Sequence, residues 1–459
     1  MKRLAAAIVF LGLGCDAPVR VPPPDPAKVP RIFPSHREPT GPIKQVIVVS
    51  IDGLLPEAYV HPDAHGLKVP TLRKLVAEGA AALGGVEPVF PTVTYPAHTS
   101  MVTGVTPGKH GIVGNRTFDP LQEDQDGWRW YAEDVARDPI WRLVEREGFS
   151  AATVWWPVTT GAAVTWRVPE YWRARDDNDR KLLRALSTPG LLEEVAAKHT
   201  DFWPRFAPPA VRDDALTDVA LHIYETGKPT LLLLHLVEVD GEQHSHGLWS
   251  EGARAAMERD DAQLGRLVAA ASPDTRILVV SDHGFLDAPK MVHPCVPLHE
   301  AGIRTAGPDW QAALLNNSGQ VYIYLKDPKD APLRARVLSV LSAKTKDPSN
   351  GISRIYAEEE IVTIGGDPKA TFALEAAPGF QFGSACQGSY MAEKTTYAGT
   401  HGYDPRRPEL RASMLMYGAN TPKGTLEQPR LIDVGPTVAS WLGIPMPNVD
   451  GIPVRVSPR

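Results

Sequence analysis

The chain has 459 residues, 43% of them hydrophobic and 22% charged, with a net charge of -6. That length buries a sizeable core, as one large α/β domain with an elaboration or as two domains. There is no basic excess to neutralise a phosphate backbone, which excludes a nucleic-acid-binding surface of the usual kind and points to small or mobile substrates.

Met1-Lys-Arg opens the chain with positive charge, residues 4–13 form an apolar run too short to span a membrane, and a glycine then precedes Cys15. This order reads as an export signal over residues 1–15. The stretch "LGLGC" resembles a bacterial lipoprotein cleavage box, which implies a lipid on Cys15 and a membrane anchor on the periplasmic side. Gly12 stands where that box prefers a larger aliphatic residue, and plain secretion is the alternative. Residues 16–43, with "VPPPDP", cannot make helix or central strand and read as a semi-rigid tether. With Cys15 lipidated, Cys295 and Cys386 remain, either as a disulfide or as two buried thiols.

Three apolar runs follow the pattern of strands buried on both faces: 45–51, 229–239 and 275–281. Each is followed by an acid, Asp52, Asp240 and Asp282 respectively. In an open parallel α/β sheet, ligands lie outside the carboxyl ends of the strands, so these acids are expected on one side of the sheet. Helical periodicity at 71–79 and 251–271 supplies crossover helices, and the expected fold is a doubly wound three-layer sandwich. A single strand-end aspartate more often caps a turn than does chemistry. Here His244 follows Asp240 by four residues, His283 adjoins Asp282, and "GTHG" offers His401 between small residues. Carboxylates and imidazoles together are a donor set for zinc-like divalent cations, in number enough for two.

In "FPTVTYPAHTSMVTG" the proline at 96 places Thr94 at or just before a helix N-terminus, with Gly104 as the stop. Thr94 is then either a cap or a hydroxyl held where backbone N–H groups favour an anion. Taken together, "SIDG", "TYPAH", "TPGKHGIVGN", "DGEQH", "SDHG" and "GTHGYDP" resemble the ordered motifs of the nucleotide pyrophosphatase/phosphodiesterases of the alkaline phosphatase superfamily. The resemblance runs from about Val46 to the C-terminal region. It implies an alkaline-phosphatase-like α/β sandwich with a mostly parallel central sheet, and a metal-dependent phosphodiester or pyrophosphate hydrolase. It also implies two zinc ions, one on Asp240, His244 and His401, the other on Asp52, Asp282, His283 and the Thr94 oxygen. Thr94 is implied as nucleophile, passing through a phosphoryl-enzyme intermediate, with Asn115 donating to a phosphate oxygen. Manganese or iron could occupy the same donors. The catalytic domain is expected over 44–445, with a cap or insertion at about 288–394 and a tail at 446–459.

The chain departs from the family's frequent Thr-Phe-Pro-Asn in having Tyr95 and Ala97. Tyr95 is read either as a ring stacking on substrate or as packing. His98, His110 and His246 are surplus to both metal sites and read as structural, with support of the metal ligands from behind as the alternative. A monoester dianion calls for extra positive charge, and related monoesterases place a Lys-x-Arg pair where this chain has the uncharged segment 154–162. That segment, with Trp155 and Trp156, either faces the second ester substituent of a diester or belongs to the core; Arg116 and Arg167 are the nearest supplementary cations. The diester reading leads. A phosphomonoesterase or phosphonate hydrolase on the same metals is the alternative, followed by a non-catalytic metal-binding lipoprotein.

Overall fold

The structure is a computed structural model that describes residues 36–124, 127–173, 176–206, 213–395 and 397–458. The signal-like segment, Cys15 and most of the tether therefore lie outside the described residues. The first strand, β1 (Gln45–Ile51), is the β-branched run expected of a strand buried on both faces. Helix α1 (Pro70–Glu78) starts on a proline, whose missing N–H costs nothing in a first turn, and leads to the short β2 (Ala80–Ala81). Helix α2 (Thr94–Thr103) ends at Gly104, whose φ of 68° is the left-handed C-cap conformation. Strands β3 (Ala151–Val154) and β4 (Trp166–Val168) follow, then α3 (Asp213–Gly227), β5 (Leu231–Leu236), α4 (Glu238–His246), α5 (Glu251–Ala270) and β6 (Thr275–Val280).

One expectation is corrected here. The run 229–239 is not strand to its end: β5 stops at Leu236, and Asp240 lies in the first turn of α4. The buried Asp213 carboxylate accepts the backbone N–H groups of Val237 (2.8 Å) and Glu238 (2.8 Å), which removes them from the sheet and starts the helix. Asp240 and His244 thereby come to stand one turn apart on the same helix face.

Among the described residues the central sheet has nine strands. Its middle, in the order β6-β1-β5-β3-β4, is parallel throughout. Beyond β6 the sheet continues with β11 (Met414–Gly418), which is antiparallel to β6, then β2, β12 (Gly424–Leu426) and β13 (Val456–Pro458). Side chains of β1 alternate between two helix layers. Ile47 and Val49 pack with Leu75 of α1, Ile223 of α3 and Leu264 of α5. Val46 and Val48 pack with Met101 of α2 and Val438 of the helix Val434–Leu442. These are the three layers, and each such buried aliphatic side chain stabilises by about 1.5–3 kcal/mol.

Residues 288–394 carry their own layer. Helix α6 (Cys295–Glu300) precedes β7 (Ala312–Asn317), β8 (Gln320–Leu325), β9 (Ile352–Ala357) and β10 (Phe372–Ala376), which form an antiparallel sheet in the order β9-β10-β8-β7. Cys295 and Cys386 are joined in a disulfide across this segment. Of the stretch 446–459, set apart as a tail on sequence grounds, the described residues 446–458 pack on the domain: Asp450 and Gly451 donate backbone bonds to the Gly104 carbonyl (2.9 and 3.0 Å), and β13 forms the sheet's edge.

Candidate active site

The carboxyl ends of β1 and β6 deliver Asp52 and Asp282-His283, α4 delivers Asp240 and His244, and the loop after the cap delivers His401. Asp52, Asp282, His283 and His401 are all buried. His401 depends on a close backbone approach: a Cβ on Gly402, whose φ is 100°, would lie 2.0 Å from the Asn317 carbonyl oxygen at the cap hairpin. Gly319 of that hairpin donates its N–H to the His401 carbonyl (2.9 Å).

Ligand atoms of Asp52, Asp282 and His283 lie within 4.8 Å of one another, and so do those of Asp240, His283 and His401. His283 is common to both groups. His244 stands beside the second group, its Nε2 3.4 Å from Asp240 Oδ2. The structure thus brings together all six of the aspartates and histidines singled out in the sequence. Four of their atoms, Asp52 Oδ1, Asp240 Oδ1, Asp282 Oδ2 and His283 Nε2, are buried without a hydrogen-bond partner among the described residues. Orphaned buried polar atoms are costly and call for an explanation.

The histidines are set as metal ligands are set. His244 Nδ1 faces the Gly399 carbonyl (2.9 Å), His283 Nδ1 that of Gly284 (3.1 Å) and His401 Nδ1 that of Thr92 (2.9 Å). A carbonyl only accepts, so each Nδ1 carries a proton and each Nε2 is the ring nitrogen turned to the site, where the neutral tautomer presents its lone pair. Burial holds His283 down at about 3, and pushes His401 well below its ordinary range with help from His283 and His244. Asp52 is raised by burial and then by the charges of Asp282 and Asp240; Asp240 is raised to about 6, mainly by burial. Crowded acids and neutral imidazoles of this kind are what bound cations stabilise. The donor set fits two divalent ions of the zinc type.

Above the acids lies a cleft of about 270 Å³ lined by Thr94, Asn115, Asp240, His244 and His401 among others. Thr94 is the first residue of α2 and is nearly buried. Asn115 Oδ1 accepts the Tyr95 N–H (2.8 Å), which leaves the Asn115 amide donors for the cleft. Tyr95 is fully buried with its ring 5.4 Å from that of Trp128, which makes it wall and not an exposed stacking platform. Trp155 and Trp156 are fully buried too, and segment 154–162 does not line the cleft: the substituent-facing option for it is overturned because both rings turn into the core. Arg116 lines the cleft, lying over Trp128 at 5.3 Å, whereas Arg167 is tied to the carbonyls of Ala162 and Leu186.

The surplus histidines separate. His110 bonds Ser100 (2.8 Å) and His246 pairs with Glu242 at the surface. His98, held neutral by burial at about 3, donates from Nδ1 to the Thr94 carbonyl (2.8 Å) and accepts at Nε2 from Ser50 (2.8 Å), so it braces the start of α2. Sequence reasoning missed the cleft walls Trp128, Glu170, Trp172 and Asn316–Ser318, which come from two loops and from the turn at the end of β7 and carry no local signal. It also missed His235, whose signal was available: a lone polar residue in the apolar run "LLLLHL".

Compared with known proteins, the chain matches the family described as type I phosphodiesterase / nucleotide pyrophosphatase over residues 46–404. It belongs to this family. This phosphodiesterase-family chain is 24% identical to the ectonucleotide pyrophosphatase/phosphodiesterase family member 1 of Homo sapiens over 254 residues, 52% of this chain and 23% of that protein. With ectonucleotide pyrophosphatase/phosphodiesterase 1 of Saccharomyces cerevisiae it is 25% identical over 422 residues, 83% of this chain and 54% of that protein. The chain therefore spans well under two thirds of the length of these relatives. Among solved structures, human ectonucleotide pyrophosphatase / phosphodiesterase 5 aligns with a TM-score of 0.66 at 19% identity, covering 89% of this chain and 97% of that one. The murine counterpart, in an inactive variant in complex with AMP, aligns at 0.64 and 20% identity with the same coverage. The fold is thus that of the alkaline-phosphatase-like sandwich.

Proposed function

We infer that this family member hydrolyses phosphodiester or pyrophosphate bonds of small nucleotide-type substrates, with Thr94 as nucleophile. The observation that carries the reading is the convergence of four orphaned buried donor atoms beside a threonine at a helix start. Asp240, His244 and His401 would hold one metal ion, and Asp52, Asp282, His283 and the Thr94 oxygen the other. When bound, zinc supplies positive charge that favours the ionised Thr94 hydroxyl and offsets the charge of the phosphate. Thr94 Oγ1 forms a bond to phosphorus as the bond to the leaving oxygen breaks and that group departs, taking up a proton; the phosphorus stays linked to Thr94 and still carries its other substituent, and water then attacks it, releasing the phosphate monoester and restoring the hydroxyl. The Asn115 amide donates to a non-bridging oxygen, and the N-terminal end of α2 adds its dipole to the same charge.

The diester preference is supported by charge. Among the described residues lining the cleft, Arg116 alone is cationic, while Trp128, Trp172 and Tyr397 offer apolar surface to a second ester substituent. The AMP held by the murine neighbour supports a nucleotide-type occupant. Turnover of bis(p-nitrophenyl) phosphate, p-nitrophenyl phosphate and a dinucleotide, each with and without chelator, tests the reading. A chelator-sensitive preference for the diesters is expected; monoester preference overturns it in favour of a phosphatase, and turnover untouched by chelation overturns the metal assignment. Export and a lipid on Cys15 belong to the same proposal and rest on residues 1–15 alone. The mass of the mature N-terminus tests them, an unlipidated terminus counting against the anchor.

A further inference from the structure

Strand β5 is apolar at five of its six positions and buried at all of them, yet it carries His235. The parallel register sets His235 beside Ser50, two residues before Asp52. Its Nε2 lies 3.1 Å from Asp52 Oδ2. Its Nδ1 lies 3.2 Å from the Trp155 carbonyl oxygen and 3.5 Å from Oε2 of Glu170. Glu170 is itself 2% exposed, and its Oε1 accepts from the Trp172 indole N–H (2.6 Å). His98, the other imidazole here, packs 4.2 Å away between ring centroids, and both of its nitrogens are already engaged by Thr94 and Ser50.

An imidazole and a carboxylate buried behind another carboxylate are costly to desolvate, and only pairing and hydrogen bonding offset that cost. Core packing would be served as well by a leucine at 235, as at the four preceding positions of the strand. What the pair does accomplish is to make the two oxygens of Asp52 unequal. Oδ2 accepts from His235, while Oδ1 has no hydrogen-bond partner among the described residues and lies 3.4 Å from His283 Nε2, facing the donor set. A carboxylate anchored by one oxygen cannot swing about its terminal torsion, which is otherwise broad.

We propose that His235, braced by Glu170, is a positioning residue that locks the Asp52 carboxylate so that Oδ1 alone is presented to the metal site. The proposal rests on the reading of Asp52 as a metal ligand. Outer partners of this kind orient a ligand before the ion arrives, and their loss weakens binding without removing any ligand.

The test is zinc affinity, measured by competition with a chromophoric chelator on the purified protein, together with melting in excess EDTA to report the metal-free fold. His235→Leu removes the donor, His235→Gln keeps an N–H that reaches toward Asp52, and Glu170→Gln loosens the brace. Wild type binds two equivalents, and Asp52→Asn loses one. His235→Leu weakens one of the two sites by about 10–100-fold, whereas His235→Gln stays within about threefold of wild type. Unchanged affinity in His235→Leu overturns the proposal, and so does an equal loss in His235→Gln, because packing alone would then explain both. Should His235→Leu not fold, Glu170→Gln decides: weaker zinc binding at the same site supports the brace, and wild-type affinity overturns it. Zinc binding unaffected by Asp52→Asn overturns the metal reading itself, and this proposal with it.

Discussion

The parallel sheet and the cap reach the same cleft by different physics. The sheet presents Asp52 and Asp282-His283 from the ends of largely apolar strands, where burial holds them and only one oxygen of each acid is hydrogen-bonded among the described residues, Asp52 Oδ2 by His235 and Asp282 Oδ1 by the N–H groups of Gly53 and His283. The cap presents backbone and amides instead, and it is pinned by specific bonds. Asn316 donates to Phe382 (2.9 Å) and Ser384 (3.1 Å), Tyr356 reaches Asp404 (2.6 Å) and Glu375 (2.9 Å), Arg407 pairs with Glu375, and a disulfide joins Cys295 to Cys386. The contrast teaches that the acids are fixed by burial at the sheet's end, while the wall beside them is held together by individual polar and covalent links. His401 belongs to both, since it joins the donor set yet is held by the cap hairpin and Thr92.

The comparison can be broken most severely at Thr94. Thr94→Ala should lower turnover by on the order of 10⁴-fold or more, with zinc content and melting nearly unchanged, as expected of a nucleophile on a rigid scaffold. Retained turnover would remove the covalent step. His401→Ala should release zinc from one site by more than the roughly 10–100-fold that outer partners cost, read by chelator competition. If both ions stay, the cap-held histidine is not a ligand and the contrast falls.

Cutting the disulfide sharpens the same comparison. Cys295→Ala with Cys386→Ala should cost about 2–4 kcal/mol, and hydrogen exchange should place the loss in residues 288–394 while β1, β5 and β6 keep their protection. Equal loss of protection in both layers would show that cap and sheet unfold as one.

The smallest effect lies in the core. Asp260 on α5 is buried, neither oxygen has a partner among the described residues, and burial followed by the charges of Asp213 and Glu238 raises it well above its ordinary range. Asp213 is raised to about 7, chiefly by burial. In the unfolded chain both titrate near 3.8, so between that value and about 7 the folded state binds more protons. Stability therefore falls as pH rises through this window. Melting should be lower at pH 8 than at pH 5, and Asp260→Asn should narrow that gap by on the order of 2 °C. A gap unchanged in the variant would show that these acids do not carry the dependence.

The sequence by itself determined the buried strands, the acids at their ends, the helix start at Thr94 with its stop at Gly104, and the donor set. It could do so because a strand covered on both faces must be apolar along its length, so a charge at its end stands out. Proline and glycine likewise announce helix ends locally. Only the tertiary structure decided that Asp240 rides on a helix, since the Asp213 carboxylate that ends β5 comes from 24 residues away. The same holds for Trp155 and Trp156 turning inward, for the pairing of Cys295 with Cys386, for Val456–Pro458 forming the sheet's edge, and for the walls at Trp128, Trp172 and Asn316–Ser318. His235 shows the limit most plainly. Its polarity within an apolar strand was visible, but its partner Asp52 lies 183 residues away, and a hydrogen bond across that distance in sequence has no local trace because packing alone brings its ends together.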